Sequence, residues 1–452
     1  MTATASSGIK RKDISAFRSG NGLPDGPKLP IALQTLIYFT ARPQFMRYCR
    51  AKYGPAFTVR FMKRSVVVIT EVEEIRKLFS GSPQAFHAGE GNRVLQPIVG
   101  DQSLLILDED PHLRHRKLLM PAFAGASLRG YRELIAEITA QQTAGWTEGR
   151  VKLVKYTQSV TLEIILRVVF GVTDPVRLAK MRKLVVGITD ANVVVMAGSL
   201  SPFATRYLWP WKTFKRTLDG LDELLYAEIR ECREAPDLAA RTDVLARMAR
   251  AGGQDGDALS DVEIRDELVT LLLAGHETTS NGLAWTLHEL MRAPVELARA
   301  VAAADRQDKE GDEFLEACFK EGLRLRPVIG GVARRLTEPA EIAGYQLPAG
   351  VVVSPSIDLV QHDHALHADP GVFRPERCLD GSVTTSNWLP FGGGVRRCIG
   401  AGFSMLESVE ILRKVLQTWE LAPVAEKPEA TKTRHITLVP AKGARAILSR
   451  RR

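Results

Sequence analysis

Ten residues near the C-terminal end read Phe391-Gly392-Gly393-Gly394-Val395-Arg396-Arg397-Cys398-Ile399-Gly400. The three consecutive glycines allow backbone angles that are closed to other residues, and Gly400 lets the chain lie close to a neighbouring group. Backbone N–H groups after Cys398 can point at its sulfur and tune the electron donation of a thiolate. Such a loop suits a cysteine that binds a metal beneath a flat cofactor, with Arg396 placed to neutralise a cofactor carboxylate. The competing interpretation is a glycine-rich surface turn beside a structural cysteine.

These residues resemble the haem-binding signature of the cytochrome P450 superfamily, Phe-Gly-x-Gly-x-Arg-x-Cys-x-Gly, with every fixed position filled. The resemblance covers about residues 25 to 440. It implies a single-domain fold that is mainly α with small β-sheets, in which a long central helix lies over the haem. It also implies haem b with the Cys398 thiolate as the axial ligand to iron. Phe391, Arg396 and Gly400 are then expected to contact the cofactor.

Bulk properties narrow the class of protein. The chain has 452 residues, of which 45% are hydrophobic and 25% are charged, as in an ordinary soluble globular protein. Its net charge of +9 is spread along the sequence. Nucleic-acid binding is disfavoured because no base-reading motif accompanies the charge, whereas a positive face could steer an acidic protein partner. Five scattered cysteines argue against a disulfide framework or a zinc cluster and suit a cytoplasmic protein, which we expect to be a monomer.

No linker rich in Pro, Gly or Ser divides the chain. We therefore expect a polar, disordered tail over residues 1–22 and one haem domain over residues 23–452. Leu29 to Thr40 is apolar but shorter than the roughly twenty residues that a spanning helix needs, so no transmembrane segment is predicted. Val193 to Phe214 is apolar and carries five aromatic residues. This segment is typical of a lid or of a peripheral membrane contact, with plain packing as an equal alternative.

Two segments carry clear local signals. Phe57 to Thr70 holds two apolar runs separated by Met62-Lys63-Arg64, which predicts a hairpin. Ser260-Asp261-Val262-Glu263 is a capping box that opens a proline-free run to about Met291. That run predicts a helix longer than roughly 40 Å, enough to cross the whole molecule.

Within the long run lies Ala274-Gly275-His276-Glu277-Thr278-Thr279, which is similar to the family motif Ala-Gly-x-Asp/Glu-Thr-Thr. A threonine hydroxyl in mid-helix can bond back to a carbonyl or hold a water, and an adjacent acid can relay protons. The resemblance implies catalytic roles for Thr278 as the proton-relay hydroxyl, for Glu277 as its acidic neighbour, and for Gly275, which leaves space for a ligand. A glycine notch for helix packing beside a solvated glutamate is the structural alternative.

Glu321 and Arg324 stand one helical turn apart, a pair that is worth only a few tenths of a kcal/mol on a surface. In the family this Glu-x-x-Arg pair is buried and joined by a downstream arginine, whose counterpart here is Arg377. A triad of this kind is costly to bury unless it is fully bonded, so the resemblance implies a structural lock on the loop that presents Cys398. Cys378 departs from the family pattern, since an aromatic residue is common at that position.

Further basic residues suit the two propionates of a haem. His112 and Arg116 lie one turn apart in a segment that resembles the family's His-x-x-x-Arg helix. Arg334 matches the arginine that leads into the following strand, and Arg335 is the alternative. Together with Arg396 they would supply four donors to one dianionic edge, although each alone is typical of a surface charge.

The resemblance implies a monooxygenase that inserts one oxygen atom of O2 into a C–H or C=C bond of a lipophilic small molecule, such as a fatty acid, terpenoid, steroid or polyketide. The walls of its substrate pocket are expected at Leu271, Ala274, Val328 and Ile329. Two kinds of alternative remain. One is a peroxide-dependent or electron-independent haem-thiolate enzyme, a peroxygenase or isomerase. The other is a non-catalytic haem ligand carrier or sensor.

The source of electrons is expected to lie outside the chain. No flavin fingerprint or four-cysteine cluster is present in the sequence. Electrons should therefore come from a separate ferredoxin or similar acidic redox protein. The residues expected on its docking face are Arg397, Arg413 and Lys414.

Overall fold

The computed structural model describes residues 22–61, 64–172, 174–189, 209–250 and 258–451. Of the predicted tail only Gly22 is described, and residues 193–208 of the apolar segment lie outside the described ranges. The helices of the described part are α1 Ile31–Tyr53, α2 Val72–Ser80, α3 Gly89–Asn92, α4 Gln96–Val99, α5 Glu109–Leu119, α6 Gly125–Ala144, α7 Leu153–Phe170, α8 Pro175–Thr189, α9 Trp209–Glu234, α10 Val244–Arg250, α11 Asp261–Leu290, α12 Pro294–Arg306, α13 Lys309–Leu325, α14 Ile357–Gln361 and α15 Ala401–Thr418. The prediction of a mainly α fold with small sheets is confirmed.

The strands are short and form four small sheets in the described part of the chain. Their bounds are β1 Ala56–Phe61, β2 Arg64–Ile69, β3 Phe86–His87, β4 Gly149–Lys152, β5 Arg334–Leu336, β6 Ala340–Ile342, β7 Tyr345–Leu347, β8 Val352–Pro355, β9 Trp419–Pro423, β10 Thr431–Arg434, β11 Thr437–Pro440 and β12 Arg445–Arg450. The sheet orders are β1-β2-β8-β5-β3, β4-β12-β9, β6-β7 and β10-β11. Only β2 and β8 pair in parallel among these strands.

The predicted hairpin is confirmed in β1 and β2. Phe57 lies opposite Val68 and Val59 opposite Val66, so the apolar residues of the two strands pair across the ladder. Because β8 joins the open edge of β2, the hairpin becomes part of the largest sheet. That sheet also carries β5, which brings Arg334 to the site described below.

The long central helix α11 begins where the capping box predicts. The Ser260 hydroxyl accepts a hydrogen bond from the Glu263 N–H at 3.3 Å, and the Glu263 carboxylate accepts one from the Ser260 N–H at 2.7 Å. The helix ends at Leu290 and Pro294 starts the next one. Its 30 residues span about 45 Å at 1.5 Å per residue.

Helix α11 is buried on almost all sides, as expected for a helix at the centre of a large core. It packs most closely against α7, where the Thr157 hydroxyl donates to the Ser280 carbonyl at 2.9 Å and the Thr161 hydroxyl donates to the His276 carbonyl at 3.1 Å. Helices α13 and α15 cover its other flanks. No helix of the described ranges is both long and apolar enough to cross a bilayer.

Candidate active site around Cys398

The loop before Cys398 is closed by backbone hydrogen bonds. The Cys398 N–H donates to the Phe391 carbonyl at 2.9 Å, and the Gly392 N–H donates to the Leu389 carbonyl at 2.8 Å. Gly394 has a φ of +66°, and a Cβ there would lie 1.8 Å from the backbone oxygen of Phe79. Only glycine fits this close approach, so helix α2 and the loop can seat against each other.

The Cys398 side chain is accessible to solvent. Nevertheless, the protein that surrounds it raises the pKa of the thiol by burial, while a hydrogen bond from the Gly400 N–H and the charges of Arg397 and Arg116 lower it. The thiol is therefore surrounded by protein on most sides but still accessible to solvent. The predicted backbone N–H directed at the sulfur is therefore present, at Gly400. A bound metal cation would stabilise the thiolate further and displace the thiol proton.

Four basic side chains lie close together near Cys398. His112 is 2% exposed, and burial followed by the charges of Arg396, Arg116 and Arg334 lowers its pKa to about 3. Burial also lowers the pKa of both Arg334 and Arg396 to about 10. The structure thus brings all four sequence-predicted residues together, on three separate elements.

Asp108, just before α5, is the carboxylate beside this cluster. It lies 2.5 Å from Arg396 Nη2 and also accepts hydrogen bonds from the N–H groups of Ala88, Gly89 and Glu90. The Asp108 carboxylate already accepts three backbone hydrogen bonds and carries only one negative charge. The basic cluster therefore keeps an excess of positive charge. Two haem propionates would balance that charge, so the donor set fits the cofactor. Sequence reasoning did not assign Asp108 a role, although the residue stands at the start of the His112 segment.

Burial distinguishes Arg334 from Arg335, and it favours Arg334 as the propionate ligand. Arg334 is 6% exposed and its guanidinium lies over the Phe79 ring, 5.7 Å from the centroid. The side chain of Arg335 is 44% exposed and forms an ion pair with Glu90. Because neighbouring residues of a strand point to opposite faces, only Arg334 can face the cluster.

The middle of α11 presents one accessible face. Ala274 is exposed and Thr278, one turn later, is half-buried, whereas Leu271, His276 and Glu277 are buried. The Thr278 hydroxyl donates to the Ala274 carbonyl at 2.6 Å, the back-bond expected of a threonine within a helix. Ala274 and Thr278 therefore share a face on which a ligand can contact the helix.

Gly275 and Glu277 face other parts of the protein. A Cβ at Gly275 would lie 2.9 Å from Ile165 Cδ1, so the absence of a side chain here serves the packing of α7 against α11. The Glu277 carboxylate lies 3.8 Å from Arg434 Nε. Of the three motif residues, only Thr278 lies on the accessible face.

Glu321, Arg324 and Arg377 meet in the interior. The Glu321 carboxylate accepts hydrogen bonds from Arg324 Nε at 2.7 Å, Arg324 Nη2 at 2.8 Å and Arg377 Nε at 3.0 Å. The two arginines also donate to carbonyl groups of residues 361, 368 and 372. The triad thereby ties α13 to the irregular chain that leads to the cysteine loop.

Sequence reasoning missed Glu407 on α15. It is 1% exposed, and burial raises the pKa of its carboxyl group well above the ordinary value, opposed only by a hydrogen bond from Thr279. Thr279 lies 3.1 Å from the Ser404 hydroxyl, so this polar cluster connects α15 with α11. The available signal was an acid that directly follows the mostly apolar stretch Ala401 to Leu406.

The predicted pocket residues lie in two places. Leu271 is 8% exposed on α11, one turn before Ala274, and Val328 is 4% exposed after α13. Ile329 is half-buried and forms a bridge with Thr437. Their role in substrate binding stays a prediction.

Comparison with known proteins agrees with this arrangement. Residues 24–447 match the family model of cytochrome P450. Cytochrome P450 135B1 of Mycobacterium tuberculosis (strain ATCC 25618 / H37Rv) is 42% identical over 432 residues, which cover 94% of this chain and 91% of that protein. Cytochrome P450 135A1 of the same strain is 44% identical over 427 residues, with 94% of each chain covered. The solved retinoic acid bound cyanobacterial CYP120A1 is similar in fold, with a TM-score of 0.82 at 23% identity over 95% of this chain and 100% of that one.

The match to the family extends over nearly the whole chain. It agrees with the cysteine in its glycine loop, the excess of basic groups beside it and the accessible mid-helix threonine. The cofactor of the family is protoporphyrin IX haem with a cysteine as the axial ligand. This chain therefore belongs to the cytochrome P450 family and is a haem-thiolate monooxygenase.

Proposed function

We propose that the chain inserts one oxygen atom of O2 into a C–H or C=C bond of a lipophilic small molecule, with electrons from a separate ferredoxin-like protein. The observation that carries this proposal is the face of α11 at Ala274 and Thr278, where one hydroxyl stands on an accessible and otherwise apolar surface. Leu271, Val328 and Ile329 would extend the apolar wall. A pocket of this kind favours lipophilic ligands with few polar groups.

The protein would contribute binding, orientation and protons. Haem with a thiolate ligand supplies O2 activation when it is bound. Cys398 would hold the iron, and His112, Arg116, Arg334 and Arg396 would hold the propionates.

The Thr278 hydroxyl would give up its hydrogen bond to the Ala274 carbonyl. It would instead hold a proton donor near the oxygen that reacts. Glu277, beside Arg434, would pass protons inward from the surface.

The docking face for the redox partner would lie around Arg397, which is exposed next to the cysteine. Lys117 on α5 is also exposed, and Arg397 and Arg116 both influence the Cys398 thiol. The inclusion of Arg413 is wrong, because this residue is 8% exposed and forms an ion pair with the half-buried Asp312. Lys414 is half-buried. A reduction rate that falls steeply with salt, and less steeply in Arg397→Gln, would support an acidic partner.

We propose a cytoplasmic location on the basis of the cysteines. All five are free, and Cys49, Cys232 and Cys318 are buried as reduced thiols. A reducing compartment keeps cysteines as free thiols, and ligation of iron by a cysteine thiolate requires a cysteine in this reduced state.

Turnover experiments separate this function from its rivals. Wild-type protein supplied with a reduced ferredoxin and O2 should oxidise lipophilic compounds, and Thr278→Ala should bind them normally but release peroxide instead of product. Thr278→Ser is the matched control, because it keeps the hydroxyl. Product formation with peroxide alone, at an equal rate and without O2, would instead favour a peroxygenase.

A further inference from the structure

We propose that Glu267 is a positioning residue for the haem edge, because it fixes the Arg396 guanidinium through the backbone of Leu104. This inference goes beyond the proposed substrate chemistry and rests only on the proposed contact between Arg396 and a haem propionate. It begins with the segment of residues 100–108, here called the strap, which leads from α4 to α5. Ser103 and Leu104 in the middle of the strap are buried.

One side of the strap is bound to the first turns of α11. Glu267 Oε1 accepts a hydrogen bond from the Leu104 N–H at 2.9 Å, and Asp266 Oδ2 accepts one from the Gln102 N–H at 2.9 Å. A Cβ at Gly100 would lie 2.1 Å from Asp266 Oδ1. The strap therefore lies directly against the helix, and two consecutive acids hold it there.

The other side of the strap is bound to Arg396. The Arg396 Nη1 donates to the Leu104 carbonyl at 3.1 Å, and its Nη2 donates to the Leu107 carbonyl and to the Asp108 carboxylate. Leu104 thus contacts Glu267 through its N–H and Arg396 through its carbonyl. Only the two backbone dihedrals of Leu104 separate these contacts, so a shift of the strap away from α11 would move the acceptors of Arg396 with it.

The burial of Glu267 is costly. Its side chain is 0% exposed, and its Oε2 has no hydrogen-bond partner among the described residues. A buried acceptor without a partner costs about 1–3 kcal/mol, and an apolar side chain of similar size would avoid that loss. A buried group that departs from the optimum for stability is expected where it serves a function.

His115 on α5 holds the Glu267 carboxylate in place. Its Nδ1 lies 2.8 Å from Glu267 Oε1, and its Nε2 lies 3.2 Å from Glu263 Oε1. The buried ring is therefore held from both sides. His115 stands between His112 and Arg116 in the sequence, so one helix carries two predicted propionate ligands and the residue that orients Glu267.

The position of Arg396 should affect the reduction potential of the haem. Reduction adds one negative charge to the haem, so a guanidinium at its edge stabilises the ferrous state. If the strap is released, Arg396 loses its carbonyl acceptors and its place at the propionate, and the potential becomes more negative. Removal of the Glu267 charge by itself acts in the opposite direction. The two effects have opposite signs and can be separated by the choice of variant.

The test is a potentiometric titration of the full-length haem-loaded protein with Glu267→Gln and Glu267→Leu. Both variants remove the same charge, but only glutamine keeps an acceptor for the Leu104 N–H. The leucine variant should have a reduction equilibrium about tenfold less favourable than the glutamine variant, which is about 59 mV for one electron. It should also lose haem faster to excess apomyoglobin.

Asp266→Asn is the matched control. It removes a charge at the next residue, but Asp266 binds the strap at Gln102, away from the carbonyl groups that hold Arg396. Its potential should be no more negative than that of the wild type. If the leucine variant does not retain haem, Glu267→Asp replaces it. Aspartate keeps the charge but is one methylene shorter, so its potential should be more negative than wild type, and a wild-type value would overturn the proposal.

The Arg396→Gln background decides whether the effect passes through Arg396. There the difference between the leucine and glutamine variants of Glu267 should disappear, because both changes act on one residue. Equal potentials of the two variants with Arg396 present, or a difference that persists without it, would overturn the proposal. A wild-type potential in Arg396→Gln alone would refute the propionate contact itself, so the two failures are distinguishable. Neither result depends on product formation.

Discussion

Replacement of Glu321 by alanine should leave two buried guanidinium groups without their carboxylate partner. Glu321 and Arg324 are 0% exposed and Arg377 is 1% exposed. The carboxylate accepts three side-chain hydrogen bonds, at 2.7, 2.8 and 3.0 Å, and a fourth from the Arg374 N–H at 3.0 Å. Removal of one partner from a buried ion pair costs about 3–5 kcal/mol. Because natural proteins are stable by only about 5–15 kcal/mol, this is a large fraction of the free energy of unfolding.

The assay is urea unfolding of the haem-loaded protein, followed in parallel by far-ultraviolet circular dichroism and by the Soret band. With a denaturant dependence of about 3 kcal/mol per molar urea, a loss of this size lowers the midpoint by about 1 M or more. Glu316→Ala is the control on the same helix. Its carboxylate lies 2.6 Å from Lys320 Nζ, but the two side chains are 41% and 34% exposed, so the change should cost no more than about 0.5 kcal/mol.

A midpoint for Glu321→Ala within the shift caused by Glu316→Ala would refute the reasoning. A second check is the double variant Glu321→Ala with Arg377→Met. If the unpaired charges cause the damage, removal of one of them should restore part of the lost stability, so the two changes will not be additive. Additive losses would show that the triad acts through packing rather than charge.

Three further predictions concern the haem side and the central helix. Cys398→Ser should lose the strongly red-shifted Soret band of the reduced carbon monoxide complex, and a band of wild-type position would disprove thiolate ligation. Gly394→Ala should retain far less haem than Gly392→Ala. Both positions have a φ of +66°, a backbone conformation that costs a residue with a side chain about 1–2 kcal/mol. Only at Gly394 would the added Cβ also clash with the Phe79 carbonyl. Equal haem retention would contradict the predicted clash. Burial lowers the pKa of His276 to about 4, so the unfolded chain takes up a proton below about pH 6.5 that the folded protein resists until about pH 4. The free energy of unfolding should therefore fall as the pH drops through that window. The unfolding midpoints at pH 7 and pH 5 should differ less in His276→Gln than in wild type, and an equal difference in both proteins would contradict the prediction.

Much of the site could be predicted because its chemistry is local in the chain. The capping box of Ser260 and Glu263 satisfies the first turn of α11 with groups three residues apart, so the start of the helix was readable. The hairpin at residues 56–69 was equally readable, because two apolar runs are separated by a break of only a few residues. The cysteine loop needs glycine at Gly394 for a reason of backbone conformation that any reader of the sequence can apply.

Other features depend on neighbours that are distant in the sequence. Gly275 looked like space for a ligand, and its neighbour is Ile165 of another helix. Arg413 looked like a surface cation, and it is buried against Asp312. Each residue lies on one face of its helix. Only the packing of the other helices decides which faces are covered.

The ten residues around Cys398, together with the motifs on the central helix and at Glu321, were enough to establish the family, the cofactor and the class of reaction. Their meaning lies in residue type and spacing, which the linear chain carries in full. The burial of Arg334 beside an exposed Arg335, and the contact of the buried acid Glu407 with Thr279, became visible only once the chain was folded. Burial and the pairing of charges are properties of the whole fold, since each depends on which distant segments exclude water from a side chain and which of them supply its partner.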